Sequence, residues 1–358
     1  MKQLYTLVAT LLCSAAFAQI PAGYYNSAQG LTLQPLRTAL HNIIKGHSVK
    51  SYASLYTNFA ITDKITINGA VKVWDIYSYN PVNPLATAYY YSYGSGTCGN
   101  YAVEGDCYNR EHSWPQSWFS STLGPQTDMF HLYPTDGKVN GLRSNYPYGN
   151  VTTATDTTTN GSMLGTGTNN AGYASIVFEP VDEYKGDLAR GYFYMTTRYY
   201  TEDATWANSG ATTKCEINPW ELSVLMEWHH RDSVSTKEIN RNNGIYGIQN
   251  NRNPFIDHPE WADSIWPNAI IVTSVANSIQ QATKVTAFPN PTTDLVTVQN
   301  IANNSNLVLY NAQGKLIYTE QTLTNTSAIL NMANYPKGLY MLRVSTATTN
   351  QTLPIIKQ

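Results

Sequence analysis

The stretch from Cys107 to Pro115, CYNREHSWP, places an arginine, a glutamate and a histidine side by side. Neighbouring side chains in a strand point to opposite faces. Glu111 and His112 can therefore serve one site only where the backbone bends or where a ligand lies at the edge between the faces. A metal ion with a water molecule beside it is such a ligand. An Arg-Glu-His triplet taken by itself is more often a surface ion pair beside a solvated histidine, so the surrounding sequence has to decide.

The block from Asp128 to Asn145, DMFHLYPTDGKVNGLRSN, follows closely and supplies partners for the triplet. Thr135 or Asp136 is predicted to cap a short helix over residues 137–145. This helix carries Asn140, whose amide oxygen, like a carboxylate, is a hard ligand of the kind that suits Mg²⁺. An imidazole, with a pKa of about 6.5 when unperturbed, can accept a proton from an attacking water. The combination indicates metal-assisted chemistry at a phosphoryl group.

Apolar spacing and cap signals predict the elements around this block. Helices are predicted over about 31–47, 187–200 and 218–230, and from the capping box that runs from Ser235 to Glu238. A strand is predicted over Val71–Tyr79. Residues 151–172, rich in Thr, Gly and Asn, predict a surface loop or a small ribbon.

The net charge of the chain is not typical of a nucleic-acid-binding protein. From Gln19 to Val275 there are 16 Lys and Arg against 22 Asp and Glu, a net charge of −6 with His neutral. Proteins that bind nucleic acid usually have a basic balance. A role in handling phosphate would therefore need local cations or a bound metal.

Several motifs occur in a fixed order along the chain, over roughly residues 30 to 267. They are NREHSWP at 109–115, Asp128 with HLYP at 131–134, VNGLRSN at 139–145, FEP at 178–180, KGDLAR at 185–190, EWHHRD at 227–232, Glu238 with Arg241 and Asn242, and QNNRNPFIDHP at 249–259. With these motifs the chain resembles the endonuclease I family of secreted and periplasmic nucleases, which belongs to the ββα-metal, or His-Me finger, group. The resemblance implies an α+β fold, a mixed helical nuclease domain with a ββα-metal finger at its active site.

The resemblance also implies roles for individual residues. His112 matches the general base of the family, and Glu111 and Asn140 match its Mg²⁺ ligands, with Ca²⁺ or Mn²⁺ as alternative ions. The implied substrate is DNA, with RNA as an alternative, cut without strong sequence preference to leave 5′-phosphate ends.

The segment between Pro115 and Asp128 departs from the family pattern. It is short here, whereas some relatives carry a longer segment with a phosphate-binding arginine. A guanidinium can hold a non-bridging phosphate oxygen through its planar fork. Arg143 and Arg190 are the candidates for that role in this chain.

Other polar and aromatic residues of the motifs are expected to support the fold. His131 is predicted to hydrogen-bond the backbone and fix the finger, and Trp114 and Trp118 are predicted to lie in the core. A buried ion-pair framework is predicted for Glu179, Asp187, Glu238, Arg241 and Arg252.

The composition predicts four segments. Lys2, an apolar run from Leu4 to Ala15 and Ala16-Phe17-Ala18 are typical of a secretory signal peptide over residues 1–18. The nuclease-like domain is predicted over 19–271, a linker over 272–286 and a small all-β, immunoglobulin-like sandwich over 287–358, where short alternating runs are separated by turn signals. No other apolar run approaches the roughly 18 residues of a membrane-spanning helix, so stable membrane insertion is not expected.

The C-terminal segment has a resemblance of its own. FPNPT at 288–292, YNAQGK at 310–315, KGLY at 337–340 and PIIK at 354–357 resemble the sorting domain that is read by the type IX, or Por, secretion system of Bacteroidetes. An ordinary immunoglobulin-like binding module has the same strand pattern. The sorting interpretation implies the outer-membrane secretion machinery as a partner and a location outside the cell or on its surface. Cleavage of the tail and the oligomeric state stay open.

Three cysteines follow the predicted signal peptide. In an oxidising compartment, Cys98 and Cys107 can close a short loop, which contributes about 2.5 to 3 kcal/mol in the chain-entropy model. We therefore predict a disulfide between them. Cys215 is left over and is predicted to be buried as a small apolar side chain.

Two functional hypotheses follow from the sequence. The first is a secreted, metal-dependent, non-specific endonuclease. The second is a catalytically silent extracellular binding protein that keeps the finger fold as a scaffold. The presence of Glu111, His112 and Asn140 together favours the first.

Overall fold

The computed structural model describes residues 20–81, 87–120, 123–167, 170–269, 285–301, 305–312, 315–323, 327–345 and 350–358. The chain divides into two compact units, one up to Thr273 and one from Ser274 onward. The predicted signal peptide and most of the predicted linker lie outside the described residues.

The N-terminal unit is mainly helical. Its helices are α1 (Leu33–Ile44), α2 (Leu55–Thr62), α3 (Leu123–Gln126), α4 (Gly137–Arg143), α5 (Lys185–Tyr199), α6 (Pro219–Arg231), α7 (Thr236–Gln249), α8 (Pro254–Asp257) and α9 (Trp261–Ile265). Short 3₁₀ turns lie at Asn26–Ala28, Tyr52–Ser54, Gln116–Trp118, Met129–His131 and Asp182–Tyr184. None of the helices in the described ranges is long and apolar enough to cross a bilayer.

The strands of this unit form small antiparallel sheets. They are β1 (Lys64–Ile67), β2 (Ala70–Val73), β3 (Tyr108–His112), β4 (Leu132–Asp136), β5 (Thr153–Thr157), β6 (Met163–Thr166), β7 (Val177–Glu179), β8 (Thr212–Thr213) and β9 (Glu216–Ile217). The pairs are β1 with β2, β3 with β4 and β8 with β9, and β5, β6 and β7 form a three-stranded sheet. The small ribbon predicted within residues 151–172 corresponds to the β5–β6 hairpin.

Helix α5 lies at the centre of the unit. Residues 186–199 of this helix are all buried, as expected of a helix surrounded by other elements. It packs against α1, whose apolar side chains Leu36, Leu40 and Ile44 lie one turn apart and are fully buried. The predicted helices over 31–47, 187–200 and 218–230 are confirmed as α1, α5 and α6.

The predicted strand over Val71–Tyr79 is wrong in its second half. Strand β2 ends at Val73, and the chain then turns around Asp75. The Asp75 carboxylate accepts hydrogen bonds from the backbone N–H groups of Tyr77, at 3.0 Å, and Ser78, at 3.1 Å. A side chain that captures backbone donors in this way competes with strand pairing.

Strands β3 and β4 with helix α4 make a ββα unit. The two strands pair antiparallel, and β4 runs into α4 without an intervening loop. The Asp136 side chain caps α4 by accepting from Val139 N at 2.9 Å, and Ser235 and Glu238 make both bonds of a capping box at the start of α7. The predicted finger and both predicted cap positions are thus present.

The C-terminal unit is all β. Its strands are β10 (Thr286–Phe288), β11 (Leu295–Gln299), β12 (Ser305–Asn311), β13 (Leu316–Leu323), β14 (Ser327–Asn331), β15 (Gly338–Ser345) and β16 (Asn350–Lys357). One sheet has the order β10-β11-β14 and the other β13-β12-β15-β16, with all neighbours antiparallel. Alternate side chains such as Val296, Val298, Leu307 and Leu309 form one shared core. The predicted α+β fold with a small all-β sandwich is confirmed.

Candidate active site

Three of the predicted site residues, Glu111, His112 and Asn140, border one cleft. Arg110, Glu111, His112, Asn140 and Asn145 are among the residues that line an open cavity of about 340 Å³. Strand β3 ends at His112 and the chain bends directly afterwards, so two consecutive side chains reach the same space.

Glu111 is held from the protein side through one oxygen. Its Oε1 accepts a hydrogen bond from the Tyr77 hydroxyl at 2.7 Å and pairs with Arg143 Nη1 at 3.0 Å. The side chain is buried, and burial raises the pKa of its carboxyl above the usual value, against the opposing effect of Arg143. Because both contacts use Oε1, Oε2 is the oxygen that can serve a cation.

His112 is arranged as a neutral imidazole with a defined tautomer. Its Nε2 lies 3.0 Å from the backbone oxygen of Gln126. A carbonyl oxygen only accepts, so Nε2 carries the proton and Nδ1 carries the lone pair. Burial, followed by the nearby His131, lowers the pKa of His112 to about 3. The ring is therefore uncharged at neutral pH, as a proton acceptor must be.

Asn140 projects its amide from α4 toward β3. Its Nδ2 donates to Asn109 Oδ1 at 2.6 Å and to the backbone oxygen of Arg110 at 3.4 Å. The amide nitrogen is thus used within the protein, and the carbonyl oxygen Oδ1 is the atom that could bind a cation. Asn109 orients it from the neighbouring strand.

The donor set fits a hard divalent cation. The cleft offers one carboxylate oxygen from Glu111 and one amide oxygen from Asn140, and Mg²⁺ is commonly held by one or two protein oxygens while it keeps several waters. Within the part of the chain that the structure describes, no three His, Cys, Asp or Glu side chains are grouped to hold a metal. A site of two oxygen ligands therefore fits Mg²⁺ better than a closed zinc cage.

The expectation that Arg143 or Arg190 holds a substrate phosphate is wrong. Both side chains are fully buried. Besides Glu111, Arg143 donates to the backbone oxygen of His112 at 2.9 Å, and its guanidinium lies 4.6 Å from the centre of the Tyr148 ring. Arg143 therefore holds Glu111 and the end of β3 in position from the protein interior. A group without exposed surface cannot reach a polynucleotide in the cleft.

Arg190 pairs instead with two of the residues predicted for the buried ion-pair framework, Asp187 and Glu238. Its Nη2 donates to Glu238 at 2.8 Å and its Nη1 to the backbone oxygen of Asp232 at 2.7 Å. The other framework residues find partners as follows: Arg241 with Asp63 at 2.6 Å, Arg252 with Asp257 at 2.6 Å, Glu179 with Lys185, and Asp187 with Arg190 at 3.5 Å. All five predicted residues make ion pairs, but in separate groups, and Glu179 is only half-buried whereas the other four are buried.

Arg110 is the cation that the sequence reasoning missed. It is half-buried and lines the cleft, and its guanidinium lies 3.6 Å from the centre of the Tyr52 ring and 4.6 Å from that of Tyr56. The period of two along β3 places it on the same side of the strand as His112. That periodicity within the Arg-Glu-His triplet was the available signal.

Two supporting predictions are confirmed next to the site. His131 is fully buried, and its Nε2 hydrogen-bonds the backbone oxygen of Pro125 at 2.7 Å. Trp114 and Trp118 are also buried in the core. These side chains fix the segment between β3 and β4, which supplies the carbonyl oxygen that orients His112.

The predicted disulfide is present. Cys98 and Cys107 are joined, with their Cα atoms 5.7 Å apart, and Cys215 is free and buried. Cys107 directly precedes β3, and its backbone oxygen accepts from Gly137 N, the start of α4, at 2.8 Å. The disulfide thus ties the loop before β3 to the ββα unit.

Comparison with known proteins assigns both units. A family model for endonuclease I matches residues 32–260. The chain belongs to the endonuclease I family. A second model, for the C-terminal sorting domain of a secretion system, matches residues 286–358. Both resemblances noted in the sequence are confirmed.

The curated relatives are nucleases. An extracellular ribonuclease of Bacillus subtilis (strain 168) is 36% identical over 251 residues, which span 68% of this chain and 78% of the relative. An extracellular ribonuclease of Bacillus amyloliquefaciens is 37% identical over 250 residues, with the same shares. Endonuclease-1 of Buchnera aphidicola subsp. Baizongia pistaciae is 28% identical over 131 residues, 37% of this chain and 46% of the relative.

Among solved structures, PorZ, a surface component of the type-IX secretion system of Porphyromonas gingivalis, is 17% identical, covers 23% of this chain and 12% of its own, and has a TM-score of 0.21. A DUF3244 family protein with an immunoglobulin-like β-sandwich fold from Bacteroides vulgatus is 19% identical, covers 21% and 84%, and has a TM-score of 0.19. At these TM-scores the likeness is no evidence about the fold.

The family matches and the Bacillus relatives make this chain a secreted nuclease that acts on nucleic acid and carries a sorting domain for secretion machinery.

Proposed function

We propose that this protein is a divalent-metal-dependent endonuclease that hydrolyses phosphodiester bonds of DNA and RNA and leaves 5′-phosphate ends. The observation that carries the proposal is that Glu111, His112 and Asn140 line one cleft, with the lone pair of the His112 ring on Nδ1. A catalytically silent scaffold would need neither a fixed tautomer nor an oxygen ligand pair beside it.

Glu111 and Asn140 hold the cation in this proposal. Mg²⁺ is the preferred ion, with Ca²⁺ or Mn²⁺ as alternatives that also take oxygen ligands. When bound, the ion supplies charge stabilisation for the phosphoryl group and for the departing oxygen. The buried Arg143 keeps Glu111 in place and opposes the rise in pKa that burial causes, so that the carboxylate form is available to the ion.

His112 acts as the general base. A water molecule in the cleft gives a proton to Nδ1 while its oxygen bonds to phosphorus. The bond between phosphorus and the 3′ oxygen then breaks. The 3′ oxygen leaves and takes a proton from solvent, and the phosphate stays on the 5′ oxygen of the downstream fragment. General base catalysis of this kind contributes roughly 10²- to 10⁴-fold. The bond from Nε2 to Gln126 O holds the ring in the required tautomer and orientation throughout.

The proposed substrate range includes both DNA and RNA. Attack by water does not use the ribose 2′ hydroxyl, so the mechanism accepts either sugar. The names of the two Bacillus relatives support RNA as a substrate, and the name of the Buchnera relatives, endonuclease, is compatible with either nucleic acid.

The proposed segments follow the sequence: signal peptide 1–18, nuclease domain 19–271, linker 272–286 and sorting domain 287–358. In this arrangement the tail serves export across the outer membrane through the type IX machinery, and the nuclease domain carries out the chemistry. Its surroundings are then extracellular nucleic acids.

Cleavage assays test the function directly. Supercoiled plasmid and a structured RNA are incubated with the protein in Mg²⁺, Mn²⁺ or Ca²⁺, with and without EDTA. Product ends are tested for a 5′-phosphate by ligation. His230→Ala is the matched control for His112→Ala, because His230 is an exposed histidine paired with Asp263 at 2.9 Å. Absence of cleavage in every metal would support the silent binding protein instead.

A further inference from the structure

We propose that Arg110, Tyr52 and Tyr56 form a binding subsite for one nucleotide that flanks the scissile phosphate. The phosphate of this nucleotide lies at Arg110 and its base lies against the tyrosine rings. The inference rests on the proposed nuclease function and adds to it the residues that position the strand. We call the three residues the Arg110 subsite.

A second cavity adjoins the catalytic cleft at Arg110. It measures about 310 Å³, and Tyr52, Tyr56, Cys98, Asn109 and Arg110 are among its lining residues. Small-ligand sites have volumes of roughly 300–1,000 Å³, so one nucleotide unit is accommodated. Arg110 lines both spaces. A polynucleotide strand that lies in the catalytic cleft can therefore continue past Arg110 into the second cavity.

The positive charge of Arg110 is available to an anion. The buried arginines 143, 190, 241 and 252 each pair with a carboxylate, whereas within the described ranges no carboxylate lies at ion-pair distance from Arg110. Its Nη1 donates to the backbone oxygen of Tyr52 at 2.9 Å. This bond fixes the guanidinium while the remaining N–H groups can bind phosphate. In a domain of net negative charge, such a local cation is what phosphate binding requires.

The tyrosines supply the surface for a base. Tyr52 and Tyr56 are half-buried, and the centroids of their rings lie 3.6 and 4.6 Å from the guanidinium of Arg110. Stacking on an aromatic ring tolerates every base, which suits a nuclease without sequence preference. The Tyr52 ring also lies nearly parallel to the His112 ring, with centroids 6.2 Å apart. Tyr52 therefore connects the subsite to the proposed general base, His112.

The disulfide holds part of the lining of this cavity. Cys98 lines the cavity and is joined to Cys107 at the start of β3. Asn109, another lining residue, accepts the hydrogen bond from Asn140. The wall of the subsite and the ligands of the metal therefore belong to one connected framework, and a nucleotide held here has a defined position relative to the cleft.

A base-removal scan of the substrate tests the subsite on the unaltered protein. The probes are four-nucleotide DNA strands whose central linkage is a phosphodiester and whose outer linkages are phosphorothioates, which keep their charge but are cut slowly. One base at a time is replaced by an abasic site. We expect removal of one base, on one side of the central linkage, to raise KM about tenfold with kcat nearly unchanged, since stacking acts on binding.

Protein variants then connect that base to the tyrosines. Tyr56→Leu is expected to raise KM for the intact strand about tenfold and to make KM insensitive to removal of the same base. Arg110→Ala is expected to raise KM by a similar factor and to keep the sensitivity to base removal, and Arg110→Lys to recover only part of the loss. Tyr246→Leu is the matched control, because the ring of Tyr246 also lies near an arginine, Arg252 at 5.7 Å, but lines neither cavity.

The outcomes separate this inference from the proposed function. If the parent protein cuts the intact strand but no base removal changes KM, or if Tyr56→Leu keeps the parental sensitivity, the subsite is refuted and the nuclease function stands. If the parent cuts no strand in any metal, the proposed function itself fails. The scan on the parent decides the question even if Tyr56→Leu does not fold.

Discussion

His112 Nε2 lies 3.0 Å from the backbone oxygen of Gln126, and this contact fixes the tautomer of the imidazole. It assigns the proton to Nε2 and leaves the lone pair on Nδ1. The preceding residue, Glu111, is held only through Oε1, by Tyr77 and Arg143, which leaves Oε2 for a cation. The proposed base and the proposed metal ligand can therefore be removed separately.

Substitution of the base should slow the chemical step without loss of metal binding. In His112→Ala both oxygen ligands remain, so calorimetric titration with Mg²⁺ should give the parental affinity. Single-turnover cleavage should be slower by about 10²-fold or more. Cleavage at the parental rate, or loss of metal binding in this variant, would contradict the assignment of His112.

Substitution of the ligand should have the opposite signature. Glu111→Gln keeps the shape of the side chain and an acceptor for Tyr77 but removes the charge that attracts the cation. Metal affinity should fall, and the rate should recover in part as the Mg²⁺ concentration is raised. The rate of His112→Ala should not recover under the same titration, and a shared response of the two variants would sink the division of roles.

Arg143 should matter for stability rather than for substrate affinity. Its removal leaves the buried Glu111 without a partner, and breaking a buried ion pair costs about 3–5 kcal/mol. We expect Arg143→Met to lower the free energy of unfolding in urea by about that amount. Arg231→Met is the control, since the exposed Arg231–Glu227 pair should contribute about 0–1 kcal/mol. A stable Arg143→Met protein with a raised KM would restore the phosphate-binding role.

Local signals explain what the sequence predicts well. The cap of α4 at Asp136 and the capping box of α7 depend on residues three positions apart, so both can be predicted without tertiary information. The family motifs also predict that Glu111 and Asn140 line the same cleft, because the motifs that contain them form β3 and α4 of the ββα unit.

Tertiary burial explains what the sequence does not predict. The sequence does not distinguish Arg143 and Arg190 from Arg110. The first two are buried only because α4 and α5, which carry them, pack inside the unit. The false strand after β2 has a similar origin. Tyr77 satisfies its pattern as a strand residue, but its hydroxyl is required at Glu111 and its backbone is held by Asp75.

The protein should lose stability below about pH 6.5, which is the unperturbed pKa of a histidine side chain. The buried His229 accepts from Arg190 at 3.3 Å and donates to the backbone oxygen of Pro259 at 3.1 Å, an arrangement that requires a neutral ring. Burial, and next Arg190, lower the pKa of His229 to about 4, and His230 lowers it further. The hydrogen bond to the Pro259 carbonyl and the charge of Asp263 oppose this shift. The unfolded state therefore binds the proton more readily than the folded state between pH 6.5 and 4.

In that window the free energy of unfolding should decrease as the pH falls, by up to about 1.4 kcal/mol per unit for this one group. His131, with a pKa lowered to about 4 mainly by burial, should add to the same slope. Urea denaturation at a series of pH values measures it. His229→Gln can keep both hydrogen bonds without titrating, so its slope should be shallower than that of the parent, and an identical slope would exclude His229 as a contributor.

The sorting domain should be dispensable for cleavage. The two compact units have separate hydrophobic cores, one built around α5 and the other from the strands of the C-terminal sheets. Each site residue discussed above lies before Thr273. A truncated chain of residues 19–280 should therefore fold and cut plasmid with the kcat/KM of the full chain.

The same truncation should abolish export, because the matched sorting domain begins at residue 286. In a host that has the type IX machinery, nuclease activity should move from the culture medium to the cells when residues 281–358 are deleted. A fusion of residues 272–358 to an unrelated secreted reporter with its own signal peptide should move the reporter to the medium. If the truncated chain keeps a native near-UV circular dichroism spectrum but no longer cuts DNA, the tail contributes to the active site and the proposed division between the domains is wrong.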